Sequence, residues 1–253
     1  MSEAGNHGAA IRQIVQAAAQ ARRQDLLAAL VQEVGWIVQA GPFAGMALQD
    51  RISRANGDLL PKLLGCYEAE LHSIIEEIVA AEPDLVVNVG AAEGYYAVGL
   101  ARLLPYAFIH VFDTDAGAQE ACRLAAASND VKARVSVAGQ CSPDLLQAIL
   151  PRGRTPVVIC DCEGYERTLI DLQRVPALRA AMLLIECHDF IDASVTQTLA
   201  DRLNATHTLI GIREGARDPN SSPLLQRLES LDRWLAVCEN RPTMMHWLVA
   251  RPK

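Results

Sequence analysis

The run Asp84-Leu-Val-Val-Asn-Val-Gly-Ala-Ala-Glu-Gly-Tyr-Tyr96 constrains the fold more than any other stretch. Leu85, Val86, Val87 and Val89 are mostly β-branched, with Asn88 the one polar interruption. That is the pattern of a parallel strand covered on both faces. Gly90 and Gly94 follow at once, and then a segment compatible with a helix. The sequence predicts strand, tight turn, helix. Glycines let backbone approach a ligand closely, and the free N–H groups of a helix start offer a site for an anionic group.

Spacing separates two cofactor classes. A dinucleotide fingerprint, G-x-G-x-x-G, places its third small residue five positions after the first, where helix and strand must pack closely. Here Tyr95 stands at that position, and the small residues fall at Gly90, Ala92 and Gly94 instead. This rhythm resembles motif I of the class I S-adenosylmethionine-dependent methyltransferases.

Length and charge narrow the class further. The chain has 253 residues and a formal charge of −7. It has room for one large α/β domain with an appendage, and no broad basic face suggests nucleic acid or an anionic membrane. A small-molecule partner is expected. The segment from Met1 to His7 has neither a basic nor an apolar region of the kind found in a secretory signal. The weakly charged stretch from Leu85 to Phe112 is interrupted by Asn88, Glu93, Arg102 and Pro105, which argues against a membrane span. Seven cysteines, with no C-x-x-C, fit a reducing cytoplasm rather than a disulfide framework.

Periodicity predicts a helix over 9–40 and another over 67–80, joined by a looser connection with Gly41-Pro42, Asn56-Gly57 and Pro61. From residue 83, strand and helix alternate. Strands are expected near 84–90, 107–113, 132–137, 156–161, 181–187, 206–212 and 244–250, and helices near 95–103, 116–128, 142–150, 165–173, 192–203 and 222–238. The expected fold is α/β and Rossmann-like: a seven-stranded, mostly parallel sheet with an antiparallel last strand. Residues 1–82 form an N-terminal helical extension serving as lid or homodimer contact, and residues 83–253 the cofactor-binding domain.

In such a sheet ligands lie beyond the carboxyl ends of the strands, so polar residues there carry the functional reading. Asp113 ends the second strand and could accept both ribose hydroxyls of a nucleoside; it could equally cap the next helix, a role open to Asp115 as well. Gln140 follows the third strand and could meet adenine, while Ser142-Pro143 makes a helix start. The fourth strand ends in Asp161-Cys-Glu-Gly-Tyr-Glu166 and the fifth in Glu186-Cys-His-Asp189. Acids at the mouth of apolar strands need a partner, and something cationic is expected to meet them.

These motifs together resemble the FkbM family of methyltransferases. Val87 to Tyr96, Asp113, the D-x-E-G-x-E run from Asp161 to Glu166, and Glu186 stand in the places of its motifs, and Gly65-Cys-Tyr-Glu68 is similar to an upstream G-x-[YW]-E element. The likeness covers roughly residues 65–212. It implies the class I fold and methyl transfer from S-adenosylmethionine, most often to a hydroxyl of a sugar or natural product. Asn88 departs from the usual acid of motif I, and Cys162 from the usual valine.

On this reading Asn88, Gly90, Ala92, Gly94, Asp113, Gln140 and Asp161 bind the cofactor. Asp161, Glu163 and His188 are the catalytic candidates, with His188 as general base. Asp161, Glu186 and His188 could also converge on a divalent ion, Mg²⁺ or Mn²⁺, as in several O-methyltransferases of the class. The competing classes are an NAD(P)-dependent oxidoreductase, against which Tyr95 counts, and a non-catalytic protein with a degenerate cofactor pocket. Acceptor specificity is expected in the loops 41–66 and 188–195.

Overall fold

A computed structural model describes residues 3–49 and 58–253, with side chains from residue 8 onward. The sheet is assembled from β1 (Leu85–Val89), β2 (Phe108–Phe112), β3 (Val135–Ala138), β4 (Pro156–Cys160), β5 (Met182–Cys187), β6 (His207–Arg213) and β7 (His246–Pro252). Their order is β3-β2-β1-β4-β5-β7-β6, with β7 antiparallel to both of its neighbours and the other pairings parallel. The chain leaves β1 towards one edge and then crosses back to β4, so strand order reverses between β1 and β4. A crevice opens at such a switch point.

Apolar cover on both faces explains the unbroken hydrophobic strands. Val86, Ile109, Ile159, Leu184 and Val249 share one core cluster with residues of α4 (Tyr95–Leu103) and α5 (Ala116–Ser128). Leu85, Val87, Val89, Val158, Leu183 and Ile185 face a second cluster with α6 (Pro143–Ile149) and α8 (Val195–Leu203). Every residue of β1 and β4 is buried.

The N-terminal part differs from its periodicity in instructive ways. Helix α1 runs Glu3–Val34 and ends at Gly35, whose φ of 68° is the left-handed turn that stops a helix. The residues up to 40 are therefore not helical. Their backbone folds back instead, with Val38 N–H donating to the Met46 carbonyl at 2.9 Å. Leu26 and Leu30 of α1 belong to the first core cluster, beside Ile75 and Ile78 of α3 (His72–Ala80). A short helix, α2 (Leu59–Leu64), lies in the stretch read as a loose connection. All six of its residues are buried, and fewer than two turns leave no periodic signal. The expected loop 41–66 falls in part on residues 50–57, outside the described residues.

Two other expected helices are shorter. The one near 165–173 is only α7 (Glu166–Leu169); Asp171 then turns the chain by accepting from Gln173 N–H at 2.8 Å. The one over 222–238 divides into α9 (Pro223–Gln226) and α10 (Ser230–Val237), because Glu229 between them is extended, with φ −62° and ψ 155°. Among the described residues no helix is long and apolar enough to cross a membrane.

Candidate active site

A cavity of about 650 Å³ opens over the switch point. Its floor is the loop after β1. Gly90 has a φ of 73°, and a Cβ at that position would overlap the Asp161 carbonyl oxygen, so only glycine allows β1 and β4 to come together here. Gly90 N–H donates to the Phe112 carbonyl at 2.8 Å, tying the same loop to β2.

Asp113 lies on this cavity with both oxygens already positioned. One accepts from Ala92 N–H and the other from Asp115 N–H, each at 2.8 Å. The capping role belongs to Asp115, which accepts from Ala118 N–H at 2.8 Å and starts α5. The alternative role weighed for Asp113 is thus already filled. Ser142 caps α6 as its Ser-Pro pair suggests, and Gln140 just before it lines the cavity.

The structure brings Gly90, Ala92, Asp113, Gln140, Asp161, Glu163, Glu186 and His188 onto one cavity. Two of the expected cofactor residues lie elsewhere. Gly94 begins α4 with a φ of 89° and packs against the Cys122 thiol. Asn88 faces a side cavity of about 50 Å³ behind the loop; it is 2 % exposed, and its Oδ1 has no hydrogen-bond partner among the described residues. Tyr95 is buried in an aromatic cluster, 5.2 Å from the Phe43 ring and 5.5 Å from Tyr67.

His188 is held in a defined orientation. It is 2 % exposed, and its Nδ1 lies 2.8 Å from Glu166 Oε1. Since an ionised carboxylate can only accept, Nδ1 carries the hydrogen and Nε2 is the free atom. Nε2 points towards Asp161 at 3.4 Å and Glu163 at 3.6 Å. Burial alone would lower the imidazole pKa; the three carboxylates outweigh it and hold the pKa above its ordinary value. Glu166 is fully buried and also accepts from Cys162 N–H at 2.9 Å, so the D-x-E-G-x-E run positions a histidine one strand away. The Cys162 thiol stands 3.4 Å from that of Cys160.

Asp161 and Glu186 face each other across adjacent strand ends. Burial raises both pKa values, and the opposing carboxylate raises that of Glu186 further. For Asp161 the value is pushed up to about 6. The folded protein then holds a proton that the unfolded chain releases near pH 4, so this group makes stability fall as pH rises from about 4 to 6. Asp161→Asn lacks that loss. In metal-free buffer its thermal midpoint is expected to gain on the wild type between pH 4 and 6. Parallel curves across that range would contradict a raised Asp161 pKa.

The cation expected opposite these acids is Arg241, in the loop before β7. Its guanidinium donates to Glu186 at 2.7 Å, to Glu239 at 3.2 Å and to Glu68. It also stacks near the rings of Tyr67 and Trp247, 5.5 Å from each. Glu68 accepts from the Tyr96 hydroxyl as well. A second cation, Lys62 of α2, is buried between Asp58, at 2.6 Å, and Glu93. Burial would lower its pKa, yet the two carboxylates outweigh this and raise it. Sequence reasoning missed Arg241, Glu239 and Lys62. The one available signal was the need for a positive partner, which names no position.

The fold is that of the class I methyltransferases, with their six parallel strands and antiparallel seventh. A putative O-methyltransferase from Klebsiella pneumoniae superposes with a TM-score of 0.50 at 13% identity, over 71% of this chain and 78% of its own. The O-methyltransferase TomG from Streptomyces achromogenes, involved in tomaymycin synthesis and crystallised with S-adenosylmethionine, gives a TM-score of 0.50 at 14% identity, over 75% of this chain and 82% of its own. No family model matches the chain. No curated protein matches it either.

Proposed function

We propose that the protein is an S-adenosylmethionine-dependent O-methyltransferase acting on a small-molecule hydroxyl, of the FkbM type that its motifs resemble. The observation that carries this reading is Asp113, a carboxylate fixed by two backbone N–H groups beside a close-approach glycine loop at the sheet's switch point. It suits the two hydroxyls of a ribose. Gln140 would meet the adenine. Gly90, Ala92 and Asp161 would surround the methionine end, with Gly94 and Asn88 supporting the loop from behind. That TomG holds S-adenosylmethionine on the same fold agrees with this reading. Tyr95 speaks against the oxidoreductase alternative, since its ring fills the place where a dinucleotide fold packs a small residue.

The chemistry asks little beyond positioning. The acceptor oxygen attacks the methyl carbon, the carbon–sulfur bond breaks, and S-adenosylhomocysteine leaves. The acceptor proton passes to Nε2 of His188, whose far nitrogen is held by Glu166. Asp161 and Glu163 would orient the acceptor and stabilise the imidazolium. Residues 1–82 would act as an extension over the domain of 83–253, since Lys62 and Tyr67 line the cavity, and α1 is the candidate homodimer contact. Seven cysteines, an odd number, suit a reducing cytoplasm better than a disulfide framework.

Asp113→Ala is expected to weaken S-adenosylhomocysteine by about 1.5–3 kcal/mol, the scale of hydrogen bonds to a charged group. Isothermal calorimetry measures it directly, with NAD as the control that should give no heat. Equal affinity of variant and wild type would overturn the ribose assignment.

A second reading, a divalent ion, has one observation in its favour. One ligand atom each from Asp161, Glu186 and His188 lies within 4.8 Å of the others. Two carboxylates and an imidazole would suit Mn²⁺ or Mg²⁺, and an ion there would lower the pKa of the acceptor hydroxyl. Arg241 competes for the same Glu186 oxygen edge. Calorimetric titration with Mn²⁺ decides: saturable heat that is lost in Asp161→Asn supports the ion, and its absence removes it.

A further inference from the structure

The cavity's charges and its mouth together restrict the acceptor, an inference that rests on the methyltransferase reading. Among the described residues lining the cavity, the only cationic groups are Lys62, Arg241 and, when protonated, His188. Each is already neutralised. Lys62 lies between Asp58 and Glu93, Arg241 among Glu68, Glu186 and Glu239, and His188 among Asp161, Glu163 and Glu166. No described cation is left to receive a phosphate or a carboxylate. Glu163 instead presents a carboxylate that is 77 % exposed.

The mouth beside Glu163 is apolar. Phe190 lines the cavity at 47 % exposure, with its ring 5.6 Å from that of His188. Ile191 follows at 52 % exposure and packs over Gly164. Both are set by a turn in which Ile191 N–H donates to the His188 carbonyl at 2.9 Å, so this apolar step is fixed relative to the imidazole. Tyr165 and Met245 continue the lining. Phe190 on the lining of a polar cavity and Ile191 next to it in the chain are both left half-exposed, a surface that a ligand can cover.

We propose that the acceptor is a neutral or cationic alcohol or phenol carried on an apolar body. Its hydroxyl reaches His188 while its body rests on Phe190 and Ile191, and Glu163 favours an amine over an acid. Phosphorylated sugars, nucleotides and acyl-coenzyme A thioesters would bring anionic groups for which the described residues hold no free cation.

The test uses the full chain and three matched probes: a naphthol, its aminomethyl derivative and its carboxylate derivative. S-adenosylhomocysteine is titrated first by calorimetry. Failure at that step would overturn the methyltransferase reading itself. Each probe is then titrated into the S-adenosylhomocysteine-loaded protein. The naphthol and the amine should bind, and the carboxylate should bind at least about tenfold more weakly, a difference of about 1.4 kcal/mol. Phe190→Ser should weaken the naphthol by a similar factor while leaving S-adenosylhomocysteine unchanged. Glu163→Lys should reverse the order of amine and acid. If S-adenosylhomocysteine binds but the carboxylate binds as tightly as the amine, or no probe binds, or Phe190→Ser has no effect, this inference alone is overturned.

Discussion

Arg241→Ala is expected to lower the thermal midpoint by on the order of 10 °C, from a loss of about 3–5 kcal/mol at roughly 2–4 °C per kcal/mol in a domain of this size. The reason is what remains behind. Arg241 is 15 % exposed at its side chain and faces Glu68, Glu186 and Glu239, each of them 3 or 4 % exposed there. Without the guanidinium Glu68 and Glu186 lose the cation that meets them, while Glu239 keeps its pair with Arg217 at 2.5 Å, and the cost of stranding buried carboxylates exceeds the value of any single pair. Arg241→Lys would keep the charge but not the planar fork that reaches several carboxylates at once, and should recover only part of the loss. Circular dichroism melts of the three proteins check this. A midpoint for Arg241→Ala within about 2 °C of the wild type would show that the network contributes little.

Gly90→Ala is expected to cost a comparable amount and to act directly on the cofactor. The left-handed backbone costs about 1–2 kcal/mol for any residue with a Cβ, and forcing a methyl into a packed site costs about 1–3 more. Here the atom in the way is the backbone oxygen of Asp161, which cannot swing aside like a side chain. Relief requires the β1 loop and the β4 end to part, which displaces both Ala92, whose N–H holds Asp113, and Asp161. A loss of about 2–5 kcal/mol in urea unfolding is expected, together with loss of S-adenosylhomocysteine binding in calorimetry. Gly211→Ala is the control, since a Cβ there meets nothing within 4 Å. Wild-type stability and affinity in Gly90→Ala would mean that the loop has room that the geometry denies.

Much of the scaffold is written locally. Short runs such as Leu85–Val89 and Leu183–Ile185, mostly apolar and bounded by turn signals, read as strands buried on two faces. Alternation with amphipathic stretches then leaves few topologies, because parallel strands need crossovers of one hand. The glycine rhythm at Gly90, Ala92 and Gly94, and the acids at the ends of β2, β4 and β5, are likewise visible because each depends on near neighbours and on a strand's end. What escaped is what depends on distance along the chain. Arg241 meets Glu186 across 55 residues and Glu68 across 173, and no local pattern records which acid a lone arginine will find. Lys62 lies in a helix too short to show a period, and burial by tertiary contact, with Asp58 and Glu93 as counter-ions, makes it part of the cavity. The same holds for Glu166. Its place in a motif was plain from the sequence, but its bond to His188 exists only because β4 and β5 are neighbours in the sheet. Local chemistry therefore determined the strands, their turns and the residue types at their ends. Long-range packing decided which charges neutralise one another and which atoms stay free to act, because electrostatic pairing in a buried site is set by position in space.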